Sequence, residues 1–517
     1  MILRRIVWLM LLVLGVAACI LVLRMGSNVI ERSTQVTRQN NALNLVKGRK
    51  LDPSLLVWRS TSSGPRTLES FVADQIATDY LNAYGELAYA WLSQDTTGLV
   101  SYFQSGALDD VLASRVHPGS LWIDLGHRLN LYFYSPDGAT VAFDDRFIYG
   151  FFDPQTKLFR AASRTQRVVL QLDDGNWRIH HWKLLDDTSL KASLPIDLSS
   201  VRGINYQARS APFDRLFVDY PAQEVASDLA RIKGLGLGTV RFFIPFSLEP
   251  SPSAVGHLKH FLGTAKSLGL TVIPTLLDRQ TRYSPANLPE LTQVLDLWTP
   301  FLKGPEVLLI DLKNEPDLDY PKNSFETQFS LRFLAYYLRE RSSKPITIGF
   351  SEPNPAVWDS VDVVSFHHYG TPQDLTRRIT RYRTAKKPIL IEEFGFHTDA
   401  QAFPDPHTEA EQAIYYRDIL DKANAEHVGA LAWTLYDLPT GDVPQNRSTE
   451  RHLGVVQMDR EKPSARVLHG MPAPVGGGVW SKWIQVRWMK ALFLLGIACL
   501  VLGFVIYKIR RKRIKRI

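Results

Sequence analysis

The chain of 517 residues has only two cysteines, Cys19 and Cys499, and both sit inside apolar runs near its ends. The stretch between those runs has none. That excludes a disulfide framework and a small disulfide-stapled module, and leaves an exported domain of a bacterial periplasm open. A spread-out charge excess is lacking as well. The formal net charge is +8, but seven positive charges (Lys508, Arg510, Arg511, Lys512, Arg513, Lys515, Arg516) lie in the last ten residues. Arg4 and Arg5 add two more, so the body is nearly neutral. No nucleic-acid partner is expected, and the basic ends call for a membrane instead. With 45% hydrophobic and 22% charged residues, wholesale disorder is excluded too.

Two uncharged runs are present. Residues 6–23 read IVWLMLLVLGVAACILVL, and ALFLLGIACLVLGFVIY occupies the end of residues 489–507. Both approach the roughly 20 apolar residues of a spanning helix. The basic flanks place residues 1–5 and 508–517 in the cytoplasm, and Trp480, Trp483 and Trp488 fit an outer interfacial belt. The expectation is a transmembrane helix at each end, a bilayer as partner, and a body on the periplasmic or extracellular side of the cell membrane. A cleaved signal peptide, or lipidation at Cys19 after Val16-Ala17-Ala18, are alternatives for the first run. Each of them exports the body.

After a linker over residues 24–64, residues 65–195 read as a small α+β domain. Apolar residues recur at helical spacing through Phe71, Ile76, Tyr80, Leu81, Tyr84, Leu87, Ala88 and Trp91, and a second helical stretch lies near Leu99–Leu112. Four segments rich in β-branched and aromatic residues follow, separated by Pro136-Asp137-Gly138, Asp153-Pro154 and Asp173-Asp174-Gly175. Helices followed by a meander resemble the nuclear-transport-factor-2-like cone, in which a curved sheet wraps a long helix. His180 and His181 read as sheet residues of this unit.

Residues 196–470 alternate strands with helices, the pattern of a parallel sheet. Strands are expected at Gly203–Tyr206, Val240–Ile244, Thr271–Leu277, Val307–Leu312, Ile346–Phe350, Val361–Phe366, Pro388–Glu393 and Ala430–Leu435. Eight such units fit a (β/α)8 TIM barrel, typically about 250 residues long. In that fold the active site lies at the carboxyl ends of the strands. Asn205, Arg241, Asn314, Glu315, His367, Tyr369, Glu393 and Trp433 should therefore converge. Residues 471–488, with Pro472-Ala-Pro-Val-Gly-Gly-Gly, read as a flexible tether.

Two carboxyl groups are what glycosidic cleavage needs. Asn314-Glu315-Pro316 follows the fourth strand and Glu393-Phe394-Gly395 ends the seventh, 78 residues from Glu315 to Glu393. With these motifs, residues 200–440 resemble a clan A glycoside hydrolase, similar to the cellulase-like family 5. The resemblance implies Glu315 as acid/base and Glu393 as nucleophile of a retaining β-glycosidase acting on a polysaccharide. It implies that Arg241 steadies the nucleophile, that His367 and Tyr369 carry the His-x-Tyr pattern, and that Trp433 floors the subsite. Asn314 would contact a sugar hydroxyl. Asn205 and Asp278 are further substrate-binding candidates, Asp278 standing where many family 5 members carry a histidine and otherwise capping the next helix. Glu315 should be protonated at rest and Glu393 ionised. Of the neighbours Glu392 and Glu393 only one can face the mouth, because adjacent strand residues face opposite ways; the Phe-Gly spacing selects Glu393. No metal or cofactor is expected. A transglycosylase, or an inactive glycan-binding protein of an exopolysaccharide assembly system, are the alternatives.

Overall fold

The structure, a computed structural model, describes residues 56–474 apart from 62–65, 115, 190–193, 248, 320–324, 401, 403–405 and 439–444. Both apolar runs lie outside the described residues. Among the described residues, no helix is long and apolar enough to cross a membrane. The chain forms two compact units, one built mainly from the residues before Leu190 and one from Lys191 onward.

The first unit is an α+β cone. Strands β2 (Leu121–Tyr134), β3 (Thr140–Phe152), β4 (Phe159–Asp173) and β5 (Asn176–Ser189) form an antiparallel meander. Helix α1 (Ser70–Ser93) packs on it, and α2 (Ser105–Ala113) follows. Ile76, Tyr80, Tyr84 and Leu87 recur every three or four residues along α1, so one stripe is buried with Phe143, Phe147, Val168, Leu170 and Ile179 of the sheet. A fifth strand, β1 (Leu56–Ser60), pairs parallel with β2. It falls in the expected linker; five residues are too few to show a period. His180 and His181 are indeed sheet residues of β5.

The second unit is a closed eight-stranded parallel barrel, as expected. Its strands are β6 (Arg202–Asn205), β7 (Thr239–Pro245), β8 (Thr271–Asp278), β9 (Ile310–Asn314), β10 (Ile346–Phe350), β11 (Val364–His368), β12 (Ile389–Phe394) and β13 (Gly429–Ala432). Helices α3 (Ala222–Gly234), α4 (Pro252–Ser267), α5 (Leu288–Trp298), α6 (Pro316–Asp319), α7 (Phe325–Arg341), α8 (Pro372–Tyr382), α9 (Glu409–Ala425) and α10 (Pro463–Leu468) complete it. After β10 only the 3-10 turn Pro355–Ser360 takes the place of a helix. Strands β9 and β11 begin three residues later than expected. Val307, Leu309, Val361 and Val363 are as buried as strand residues, so hydrophobicity does not mark where the ladder starts.

The barrel interior changes character along its axis. Leu198, Ile273, Leu309, Val363, Leu390 and Leu431 cluster as an apolar plug. Two residues further along the same pleat come Thr275, Asp311, Ser365 and Glu392, all buried. Because successive inward residues are two apart, β8, β9, β11 and β12 each carry an apolar residue deep in the barrel and a polar one toward the carboxyl end.

Candidate active site

Arg241 is the hub of the barrel mouth. It is fully buried. Its Nη1 donates to Glu393 Oε1 at 2.6 Å and to Asn205 Oδ1 at 2.9 Å. Its Nη2 donates to Asp311 Oδ2 and Asn314 Oδ1, each at 2.7 Å. Its Nε stands 3.4 Å from Glu392 Oε1. A guanidinium is suited to this, because its planar fork presents five donors in fixed directions. Burying it raises the energy of a charge, and the surrounding carboxylates offset that cost and push its pKa upward.

Glu315 and Glu393 come together. Glu315 follows β9 at a positive φ of 42°. One ligand-type atom each of Glu315, His367 and Glu393 lies within 4.8 Å of the others. His367 Nδ1 is 2.7 Å from Glu315 Oε1 and 3.3 Å from Glu393 Oε2. Tyr369 donates its hydroxyl to Glu393 Oε2 at 2.7 Å. The three groups could also grip a cation, but His367 itself supplies positive charge there. Burial disfavours its charged form, yet Glu393 and Glu315 outweigh this and lift its pKa to about 9.

The pKa directions of the two acids run opposite to the expectation. Burial raises Glu315, but the hydrogen bond and charge of His367, then Arg241, more than reverse this and leave it lowered. Burial also raises Glu393; His367 and Arg241 oppose it, and the net shift is upward. These shifts favour the proton on His367 over Glu315. In a 2.7 Å hydrogen bond that proton belongs to the His367–Glu315 pair as a unit, and moving it from Nδ1 to Oε1 needs no uptake from solvent.

Both Glu392 and Glu393 face inward, which corrects the expectation that only one can. The ladder between β11 and β12 pairs Phe366 with Ile391 and then His367 with Glu393, so Glu392 is an extra residue at a bulge. A bulge re-aims the residue that follows it. Glu392 keeps the inward phase set by Leu390, accepts from Ser365 Oγ at 2.8 Å, and is fully buried. Burial first, then the nearby Asp311, lift its pKa to about 7 against the pull of Arg241.

The remaining candidates divide. Trp433 follows β13, half-buried, and meets Phe243 edge to face at 5.8 Å. Its peptide bond to Thr434 is cis. Asn314 accepts from Arg241 through Oδ1 and is partly exposed. Asn205 departs from the expected substrate contact. It is fully buried, and its amide donates to the backbone oxygens of Glu392 and Ala432, so it positions Arg241. Asp278 ends β8 with its side chain 17% exposed and 3.9 Å from Arg279; burial raises its pKa, opposed by Lys313. It caps no helix, since α5 begins only at Leu288. Sequence reasoning passed over Asp311 and Ser365, and weighed Glu392 only as the rival of Glu393. Their signal was the period of two, which carries Leu309 to Asp311, Val363 to Ser365 and Leu390 to Glu392.

No family model and no curated protein matches the chain. Solved structures do. An exo-β-1,4-mannosidase from Opitutaceae bacterium strain TAV5 is 22% identical with a TM-score of 0.43, over 52% of this chain and 58% of that one. The chain thus spans little more than half the length of that mannosidase. A GH5_18 protein from Streptomyces cattleya in complex with GlcNAc is 17% identical at 0.45, over 56% and 83%. An endo-1,4-β-D-mannanase from Thermotoga petrophila RKU-1 is 14% identical at 0.39, over 52% and 98%. At such identities the likeness does not decide activity or substrate.

Proposed function

We propose that the chain is a retaining β-glycosidase of the family 5 type, acting on a β-linked polysaccharide. The observation that carries this is the approach of Glu315 and Glu393 to within 4.8 Å at the barrel mouth. Retaining pairs stand about 5–5.5 Å apart, whereas inverting pairs leave about 6.5–9.5 Å for a water. Arg241 and Tyr369 each hold one oxygen of Glu393, which aims the carboxylate at the anomeric carbon and favours its ionised form against the opposing effect of burial. Glu315, supplied by His367, protonates the leaving oxygen and then takes a proton from the water that releases the glycosyl-enzyme. Trp433 offers a flat face for the reacting ring, and the amide of Asn314 a donor for its hydroxyl.

The apolar runs and basic ends support a setting at the outer face of the cell membrane, both termini cytoplasmic. Reporter fusions at residues 5 and 517 test that: a reporter active only outside the cytoplasm should stay silent at both. For the activity, wild type and Glu393→Gln are compared on β-linked glucans, mannans and mixed polymers by reducing-end release. Cleavage by the wild type alone supports the reading. Binding without cleavage by the wild type would move it to a glycan-binding protein.

A further inference from the structure

The cone unit holds a cavity of about 240 Å³ that the barrel chemistry does not use. Trp91, Trp122, Trp182 and Tyr84 line it together with Arg164 and Gln166. Trp91 and Trp122 meet at 86° with centroids 5.2 Å apart, so two indoles form a corner. Trp182 is half-exposed. The indole N–H groups are already engaged: Trp91 donates to Ser114, Trp122 to Asp124 and Trp182 to Asp110. What these rings leave for a ligand is carbon surface.

The polar groups are held rigidly. Gln166 donates to the hydroxyls of Tyr80 and Tyr84, and Tyr80 donates to Asp145 at 2.8 Å. His127 lies fully buried between Asp145 at 2.7 Å and Asp124 at 2.9 Å. A buried network satisfied in this way fixes the groups at its edge. Arg164 pairs with Asp187 through Nη2, yet its buried Nε–H has no hydrogen-bond partner among the described residues. Arg164 keeps about a quarter of its side chain exposed, so its guanidinium can reach a ligand at this wall although its Nε cannot.

We infer that this cavity is a second, non-catalytic saccharide site that takes one neutral hexopyranose ring at the end of a β-linked chain. Its volume is below the roughly 300 Å³ where pockets for drug-sized ligands begin, so one ring fits and a longer segment does not. A pyranose has a C–H face for the indoles and hydroxyls for the Arg164 guanidinium, the division of labour that apolar pockets with a few fixed polar groups use. An aromatic cage for a quaternary ammonium is the competing chemistry. It is disfavoured because the Arg164 guanidinium, 4.4 Å from the Tyr149 ring centroid, already places a cation at this wall. Only the link to the barrel rests on the glycosidase reading; the ligand class comes from the cavity itself.

The test uses the full chain in detergent with Glu393→Gln, titrated calorimetrically with β-1,4-linked glucose and mannose trisaccharides and with choline. Two classes of saccharide site are expected. Trp433→Ala should remove one, and Trp182→Ala should weaken the other at least tenfold while Trp182→Phe retains it. If Trp182→Ala fails to fold, Leu184→Asp serves, since Leu184 lines the same cavity and is 55% exposed. Absence of any Trp433-dependent class in the parent chain, with the Trp182-dependent class present, would count against the glycosidase and leave the cavity site standing. Saccharide binding indifferent to residues 182 and 184, no saccharide binding at all, or choline bound in place of sugar would each overturn the inference.

Discussion

His367 Nδ1 stands 2.7 Å from Glu315 Oε1, and the imidazole is buried to 2% exposure with its pKa lifted to about 9. Removing the last shared proton from this pair disables the acid. We therefore expect the alkaline limb of kcat/KM to fall near pH 9 in the wild type. In His367→Gln the burial of Glu315 is opposed only by the charges of Arg241 and Lys313, and its proton is lost nearer the ordinary carboxyl range, so the limb moves down by more than one pH unit. Stability follows the same sign. A folded pKa of about 9 over an unfolded 6.5 gives stabilisation that is full below pH 6.5 and lost as pH rises through 9. Urea melts should show the gap between wild type and His367→Gln closing over that window.

Substituting the two acids should separate their roles by leaving group. Glu315→Gln removes proton donation, worth about 10²–10⁴-fold, and the loss should shrink for aryl glycosides whose leaving phenol needs no proton. Glu393→Gln removes the bond-forming group, so its loss should be as large on aryl glycosides as on polymer. Equal losses in both variants across a leaving-group series would contradict the assignment.

Gly349 lies where β10 passes the cluster. A Cβ there would come 2.4 Å from Glu392 Oε2 and 3.0 Å from His367 Nε2, both buried side chains with no room to move away. Gly349→Ala should cost about 1–3 kcal/mol of stability, as overpacking does, and lower kcat more than it raises KM because it displaces His367 rather than the substrate. Thermal melts and steady-state kinetics on the same sample would check both halves.

Much of this barrel was legible because short apolar runs alternate with helical stretches. The eight strands follow from that alternation, and the meeting of Arg241, Glu315, His367, Tyr369 and Glu393 from the motifs at strand ends. What breaks the strand period of two was not legible. The bulge at Glu392 turns two adjacent acids inward, and no local residue preference marks it. The pKa shifts that favour the proton on His367 over Glu315 depend on a contact between residues 52 apart in sequence. The aromatic corner of the cone escaped for a similar reason, since Trp91, Trp122 and Trp182 sit on α1, β2 and β5.

Glu392 supplies the sharpest check on the electrostatics, because it is a buried acid that the proposed chemistry does not use. Its folded pKa of about 7 exceeds the ordinary 4.5. Below pH 4.5 both folded and unfolded states carry the proton, and the group is neutral toward folding. Between 4.5 and 7 the unfolded chain releases its proton while the folded one retains it, so stability falls with rising pH by up to roughly 3 kcal/mol. Glu392→Gln keeps the shape and the acceptor for Ser365 Oγ, and lacks this titration. Urea melts at pH 4.5, 6 and 8 should therefore show the variant gaining on the wild type as pH rises. The reverse trend would mean that Glu392 is ionised against Arg241 Nε, and that the guanidinium, not burial, governs the charge of this site.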